Sequence, residues 1–188
     1  MPEDFSFQLY ADDLERLEWY IEDACERVPL LGTAGITRVV NGPIPYAPDG
    51  LPLIGQMPGV PNAFEACVFT FGIVQAGGAG KLLADIMVDG ESETDSWAVD
   101  PRRFTDHVDH AYATAKAIET YSHEYAMHFP QIQWPAGRGA KTSPLYDKLA
   151  AAGAAFGSYG GWERADWFPR DGEQALPANS YDRQHWFD

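Results

Sequence analysis

Spacing that could carry chemistry is densest in FGIVQAGGAGKLLADIM, Phe71 to Met87. Four glycines fall within the nine residues from Gly72 to Gly80, the stretch closes on Gly80-Lys81, and apolar residues follow at helical spacing. A phosphate loop needs a glycine, four residues, then Gly-Lys-Ser/Thr, so that backbone N–H groups wrap the phosphates and a hydroxyl reaches Mg²⁺. Gln75 stands where the first glycine belongs and Leu82 where the hydroxyl belongs. The dinucleotide fingerprint Gly-x-Gly-x-x-Gly also fails: Gly78 and Gly80 supply the first pair, but Leu83 occupies the third position. Two readings remain open. The stretch is a tight turn that packs a helix closely on a sheet, or a glycine-dense helix entry that brings backbone donors to an anionic or polar ligand.

HEYAMH resembles a zinc helix at first sight. Zinc helices place their histidines four apart with Glu after the first. His123 and His128 are five apart, about 140° around a helix, so they are expected to pack and cap, and no metal is expected. Cys25 and Cys67 are isolated, without CxxC spacing, and are expected to be reduced thiols. No Ser-His-Asp, Cys-His or paired-carboxylate arrangement singles itself out as a catalytic set.

The elements that must position these residues follow from periodicity. Leu14, Leu17, Ile21 and Ala24 recur at three- and four-residue steps, predicting a helix over Ala11–Arg27 with an acidic outer face. TRVVN, Thr37 to Asn41, reads as a short strand. Prolines 43, 45 and 48 then forbid a helix, and Pro48-Asp49-Gly50 signals a turn. LPLIG reads as a strand. Ala63 to Phe71 reads as the best strand, apolar on both faces and expected to be central. The glycine loop and a helix from about Gly78 to Val88 follow, stopped by Asp89-Gly90. A long helix is expected over Asp106–Phe129, then PAGRGAKTSPLYDKL as a loop of turn formers leading into a short helix. AAAGAAFGSYGGWERADWF reads as loops and short strands.

The chain has 188 residues, enough for a core of its own or for two small pieces. Its formal charge of −15 argues against nucleic acid and against an anionic membrane surface. No apolar run reaches the ~20 residues that span a bilayer. MPEDFSFQLY has no apolar stretch of signal-peptide type, and a cytoplasmic location is expected. Of the 6 Trp, 9 Tyr and 10 Phe, Tyr159, Trp162, Trp167, Phe168, Tyr181, Trp186 and Phe187 lie close together in the second half, and Trp186-Phe187-Asp188 close the chain. An aromatic cluster of this kind is expected to meet a neighbour.

Taken together, NGPIPYAPDGLPLIG, the glycine stretch, DPRRF, the HEYAMH helix, WPAGR, TSPLYD and GWERADWF resemble, in that order, the dimethylglycine and sarcosine dehydrogenase family of FAD-dependent oxidoreductases. The resemblance covers nearly the whole chain. It implies an α+β fold. Residues 1–92 would be the C-terminal part of a D-amino-acid-oxidase-like FAD domain, 93–147 a mainly helical central linker domain, and 148–188 the beginning of an aminomethyltransferase-like, folate-binding domain. It also implies that Gly72, Ile73, Val74 and Gln75 lie against the flavin, with Asn41, Gly42 and Tyr46 on the substrate side. Relatives that attach flavin through a cysteine carry it near the position of Gly42, so that linkage is not expected here.

The implied activity is oxidative demethylation of an N-methyl amino acid, with FAD as cofactor and tetrahydrofolate in the intact enzyme. The family's dinucleotide fingerprint and the residues assigned to amine oxidation match nothing in this sequence, so no catalytic residue is carried over. The FAD site is expected to be incomplete, the fold incomplete, and a protein partner to carry the N-terminal FAD-binding half. A non-catalytic interaction or assembly subunit, or a truncated remnant without activity, is the alternative expectation.

Overall fold

Leu17 and Ile21 lie on a helical segment, as their spacing predicts, and Leu14 stands just before it. A computed structural model, which describes residues 5–176 and 178–184, has a single 3₁₀ turn at Glu15–Leu17 that runs into α1, Glu18–Arg27. These elements belong to the first of two units, which ends at Ile44. α1 buries none of its residues, and a second 3₁₀ turn, Pro29–Thr33, follows it. The strand expected over Thr37–Asn41 does not form. That segment has no ladder partner among the described residues; a single backbone bond, Tyr10 N–H to the Asn41 carbonyl at 2.8 Å, holds it.

The second unit begins at Pro45. Pro48-Asp49-Gly50 makes the expected turn, with the Gly50 N–H on the Ala47 carbonyl at 3.0 Å and Gly50 at φ +74°. β1 (Leu53–Gln56) pairs antiparallel with β2 (Phe64–Cys67), Leu53 opposite Cys67 and Gln56 opposite Phe64. Among the described residues no third strand joins this pair. β2 is therefore an edge strand and half-buried, shorter than the central strand its apolar run predicts.

α2 spans Gly72–Asp89 and corrects the expected loop. The helix starts six residues early and takes in every glycine of the stretch. Glycine costs about 0.5–1 kcal/mol per helical position relative to alanine, so propensity argued for a loop. The packing of α2 against β1 and β2, with Ala79 buried, overrides it. Gly90 ends α2 in the left-handed conformation at φ +85°, its N–H on the Ile86 carbonyl at 3.1 Å.

A 3₁₀ turn at Pro101–Arg103 is capped by Asp100, whose carboxylate accepts from the Arg102 N–H. α3 runs only over His110–Ser122, capped by Asp109 through the Tyr112 N–H, and stops short of the expected Phe129. α4 is Tyr146–Ala151. β3 (Ala155–Tyr159) and β4 (Trp162–Trp167) form a hairpin turned by Gly160 and Gly161, at φ +57° and +81°. The described chain thus mixes helices and strands, as the α+β class requires. Its apolar core is small: Ala47, Ile54, Ala79 and Ala155. Among the described residues no helix is long and apolar enough to cross a membrane.

Candidate functional site

Two places in the second unit combine exposed donors with chemistry. The first is the start of α2. Its N-cap residue, Phe71, offers no side-chain oxygen, so the first-turn N–H groups have no side-chain cap. Ile73 and Val74 are 96% and 83% exposed. Two polar atoms nearby are buried without a partner, Thr70 Oγ1 and Gln75 Oε1. A Cβ added at Gly72 meets only the Phe69 Cβ, at 3.8 Å, and one at Gly77, Gly78 or Gly80 meets nothing within 4 Å. The chain's own packing does not demand glycine at these positions. Open N–H groups at the positive end of a helix dipole, beside unpartnered polar atoms and a glycine face that allows close approach, fit the polar edge of a flavin ring.

The other expected site residues belong to different units. Asn41 and Gly42 lie in the first unit. Asn41 Nδ2 donates to the Ala11 carbonyl at 2.8 Å, and a Cβ at Gly42 would sit 3.1 Å from Leu9 Cδ2. Tyr46 lies in the second unit and is bonded into the other candidate place.

That place is a cavity of about 560 Å³ between the Pro48–Leu51 turn, the Trp97–His107 segment, α3 with the loop after it, and the β3–β4 hairpin. Its frame is ionic. Arg103, whose side chain is only 4% exposed, donates from Nε to Asp49 Oδ2 at 2.7 Å and from Nη2 to Asp49 Oδ1 at 3.0 Å. Nη2 also reaches the Leu51 carbonyl at 2.9 Å. The second arginine of DPRRF is thereby bound to the aspartate of the PDG turn. Thr120 Oγ1 donates to the Pro48 carbonyl at 2.9 Å and ties the same turn to α3. Buried Glu119 accepts from Lys116 Nζ at 2.6 Å and from the Ala136 N–H at 2.7 Å, anchoring the WPAGR loop to α3.

The histidines sit differently from the expectation. α3 ends at Ser122, so His123 and His128 follow the helix instead of sharing it, and the argument from helical angle does not apply. Both flank Trp134, His123 stacked at 4.4 Å and His128 tilted at 5.9 Å. His123 Nδ1 lies 2.8 Å from the Glu119 carbonyl. A carbonyl only accepts, so Nδ1 carries the proton and Nε2 is the acceptor in the neutral ring. His107 lies edge-on to Tyr112 and bonds Thr105 Oγ1 at 2.9 Å. Burial, aided by the charge of Lys141, pushes its pKa down and favours the neutral ring. Burial pushes the Tyr112 hydroxyl up. Tyr46 donates to Glu124 Oε2 at 3.0 Å and packs edge-on against Tyr121. Burial first, then the Glu124 carboxylate, pushes Tyr46 up to about 12. Among the described residues no three His, Cys, Asp or Glu side chains gather as metal ligands.

Two family models match: FAD dependent oxidoreductase over residues 2–86 and FAD dependent oxidoreductase central domain over 89–143. Human mitochondrial dimethylglycine dehydrogenase is 38% identical over 189 aligned residues, covering all of this chain and 22% of that protein. The chain belongs to the FAD-dependent oxidoreductases. Mouse mitochondrial sarcosine dehydrogenase is 36% identical, over 94% of this chain and 20% of its own length. The 4-methylaminobutanoate oxidase (formaldehyde-forming) of Paenarthrobacter nicotinovorans is 39% identical, over 86% of this chain and 20% of its own length. This oxidoreductase chain thus spans about a fifth of the length of the curated relatives it matches.

The comparisons correct one expectation. The dimethylglycine and sarcosine dehydrogenases it resembles are mitochondrial, which points to the mitochondrion and overturns the cytoplasmic reading. That reading rested on Met1–Tyr10, on the isolated Cys25 and Cys67, and on the lack of a run long enough to span a bilayer. The first residues of a chain that spans about a fifth of its relatives' length carry no information about a leader.

The ion pairs were the main residues missed from sequence. Their signal was present in the motifs, since PDG, DPRRF, WPAGR and GWER each contain one member of a pair. Nothing in the sequence said which members meet. Trp186, Phe187 and Asp188, expected to meet a neighbour, lie outside the described residues.

Proposed function

We propose that this chain is a portion of an FAD-dependent oxidoreductase that oxidatively demethylates an N-methyl amino acid such as sarcosine or dimethylglycine. Gly72, Ile73, Val74 and Gln75, at the start of α2, hold the polar edge of the flavin. Asn41, Gly42 and Tyr46 stand on its substrate side. A partner carrying the N-terminal half of the FAD domain completes the pocket. Residues 1–92 close the flavin domain, 93–147 form the mainly helical linker, and 148–188 begin a folate-binding domain through which tetrahydrofolate serves the intact enzyme. The fold is incomplete without those parts.

The observation that carries the reading is the uncapped start of α2, exposed at Ile73 and Val74 and flanked by the unpartnered Gln75 Oε1. Bound flavin supplies the two-electron acceptor. The chain's N–H groups orient the ring, and the helix dipole favours negative charge at the ring edge facing it. The names of the three relatives support the substrate class.

The test is Gly72→Val in the protein purified from its source cells. The side chain has room in the protein, since a Cβ there makes only an ordinary contact, but it would push a ligand away from the Gly72 N–H. Loss of the flavin band near ~450 nm, with helix content unchanged by circular dichroism, supports the proposal. Full flavin content in the variant refutes it.

A further inference from the structure

Two faces of α3 differ in kind. Lys116 and buried Glu119 are held inside and pair with each other at 2.6 Å. Ala111, Thr114, Ala115, Ile118, Tyr121 and Ser122 face out, all exposed. At about 100° per residue they share one arc of about 120°. Ile118 and Tyr121 are each 63% exposed, and Tyr125, in the turn after the helix, extends the stripe at 88%. None of these residues is charged. The other α-helices of the described residues all expose charge: α1 at Glu18 and Glu22, α2 at Lys81 and Asp89, α4 at Asp147 and Lys148.

We propose that this stripe is a self-association surface, on which a second copy of the chain packs α3 against α3. Two copies with a charge of −15 each repel through their acidic faces. The uncharged arc is where they can approach. A basic partner would be drawn to the acidic faces instead, because the stripe offers it no carboxylate.

The order of residues along the stripe fits a second copy. A two-fold axis at Ile118 runs the helices antiparallel. It sets the Ala111–Ala115 end of one against the Tyr121–Tyr125 end of the other, and Ile118 against its own copy. Small side chains then meet large ones at both ends, which is the self-complementarity an isologous dimer requires. Small residues let helix axes approach to about 8–10 Å, and tyrosine brings ring area while its hydroxyl stays wet. A single helix pair falls short of the ~1,000 Å² of a stable interface, so the dimer is weak and concentration-dependent. The inference goes beyond the flavin proposal, whose partner is a different chain.

The test is sedimentation equilibrium of the purified protein over a concentration series. The mass is expected to rise from one protomer toward two, and potassium chloride to strengthen association by screening the repulsion. Ile118→Glu sets two carboxylates together at the axis and weakens association by about tenfold or more. Leu145→Glu, at an exposed position off the stripe, adds the same charge and leaves association nearly unchanged. Mixing Ile118→Glu with Ile118→Lys restores it, because a two-fold at that residue brings the opposite charges together. A mass that never exceeds one protomer, or a dimer that weakens with salt, overturns the proposal. So does a dimer that Ile118→Glu leaves intact or that Leu145→Glu breaks equally, and so does a Glu–Lys mixture that stays dissociated. Binding of a different chain through Ile118, without self-association, also overturns it. The parent's mass and salt response decide even if an Ile118 variant fails to fold.

Discussion

Arg138 and Glu163 join two segments 25 residues apart through a two-pronged ion pair. Arg138 Nε donates to Glu163 Oε1 at 2.7 Å and Nη2 to Oε2 at 2.6 Å. Oε1 also accepts the Gly139 N–H at 2.8 Å, and Nη2 reaches the Phe156 carbonyl at 2.8 Å. The Glu163 side chain is 2% exposed. WPAGR and the β3–β4 hairpin are therefore one structural unit, held by a buried charge that water cannot solvate.

Arg138→Met leaves that carboxylate buried and unpaired. A destabilisation of about 3–5 kcal/mol is expected, seen as a lower urea midpoint. Replacing both residues by apolar ones of similar volume is expected to cost less than Arg138→Met alone, because the unpaired charge goes too. A single variant as stable as the parent would show that water reaches Glu163.

Acid should act on the same pair. The Arg138 bonds hold Glu163 below its usual carboxylate range, against burial, which raises it. Asp100 is lowered in the same way by Arg102. A carboxylate with a lowered folded pKa contributes stability above its unfolded value, and that stability is lost as pH falls through the folded one. Urea midpoints should therefore hold from neutrality down to about pH 4.5 and fall below it. Glu163→Gln is expected to flatten that acid limb while lowering stability at neutral pH. An unchanged limb would assign the acid sensitivity elsewhere.

Alkali should act on Tyr46. Its folded pKa of about 12 lies above the ordinary 10.0, by burial first and by Glu124 second. The unfolded chain releases this proton first, so the stability contributed by the protonated hydroxyl is lost as pH rises from about 10 toward 12. Phenolate absorbance should show a late-titrating phase to which Tyr46 and Tyr112 both contribute, and Glu124→Gln should bring the Tyr46 component earlier without restoring 10, because burial remains. A titration that does not move in the variant contradicts the Tyr46–Glu124 bond.

The elements written in local pattern were legible in the sequence. The Pro48-Asp49-Gly50 turn, β1, and the body of α2 with its stop at Gly90 all appear where turn residues and apolar spacing place them, and a short helix begins at Tyr146, within the turn formers expected to lead into one. The start of α2 was not legible, because glycine propensity points away from helix and only packing on β1 and β2 reverses it. Thr37–Asn41 looked like a strand because β-branched residues fit one, but a strand also needs a partner, which no local pattern supplies. The candidate sites divide the same way. Gly72–Gln75 drew attention through composition and family resemblance. The Tyr46–Glu124 and Arg103–Asp49 pairs join residues 78 and 54 apart in sequence and became visible only in three dimensions.

The extended stretch that leaves the first unit has a practical consequence. Residues 35–44 hold almost no backbone bonds beyond the one at Asn41, and Arg38 within them is exposed. Backbone that opens without breaking a ladder or a helix is what a protease requires. Trypsin should therefore cut after Arg38 early in a limited digest. The β3–β4 hairpin and α2 would stay on the larger product, separated from α1 by a single nick.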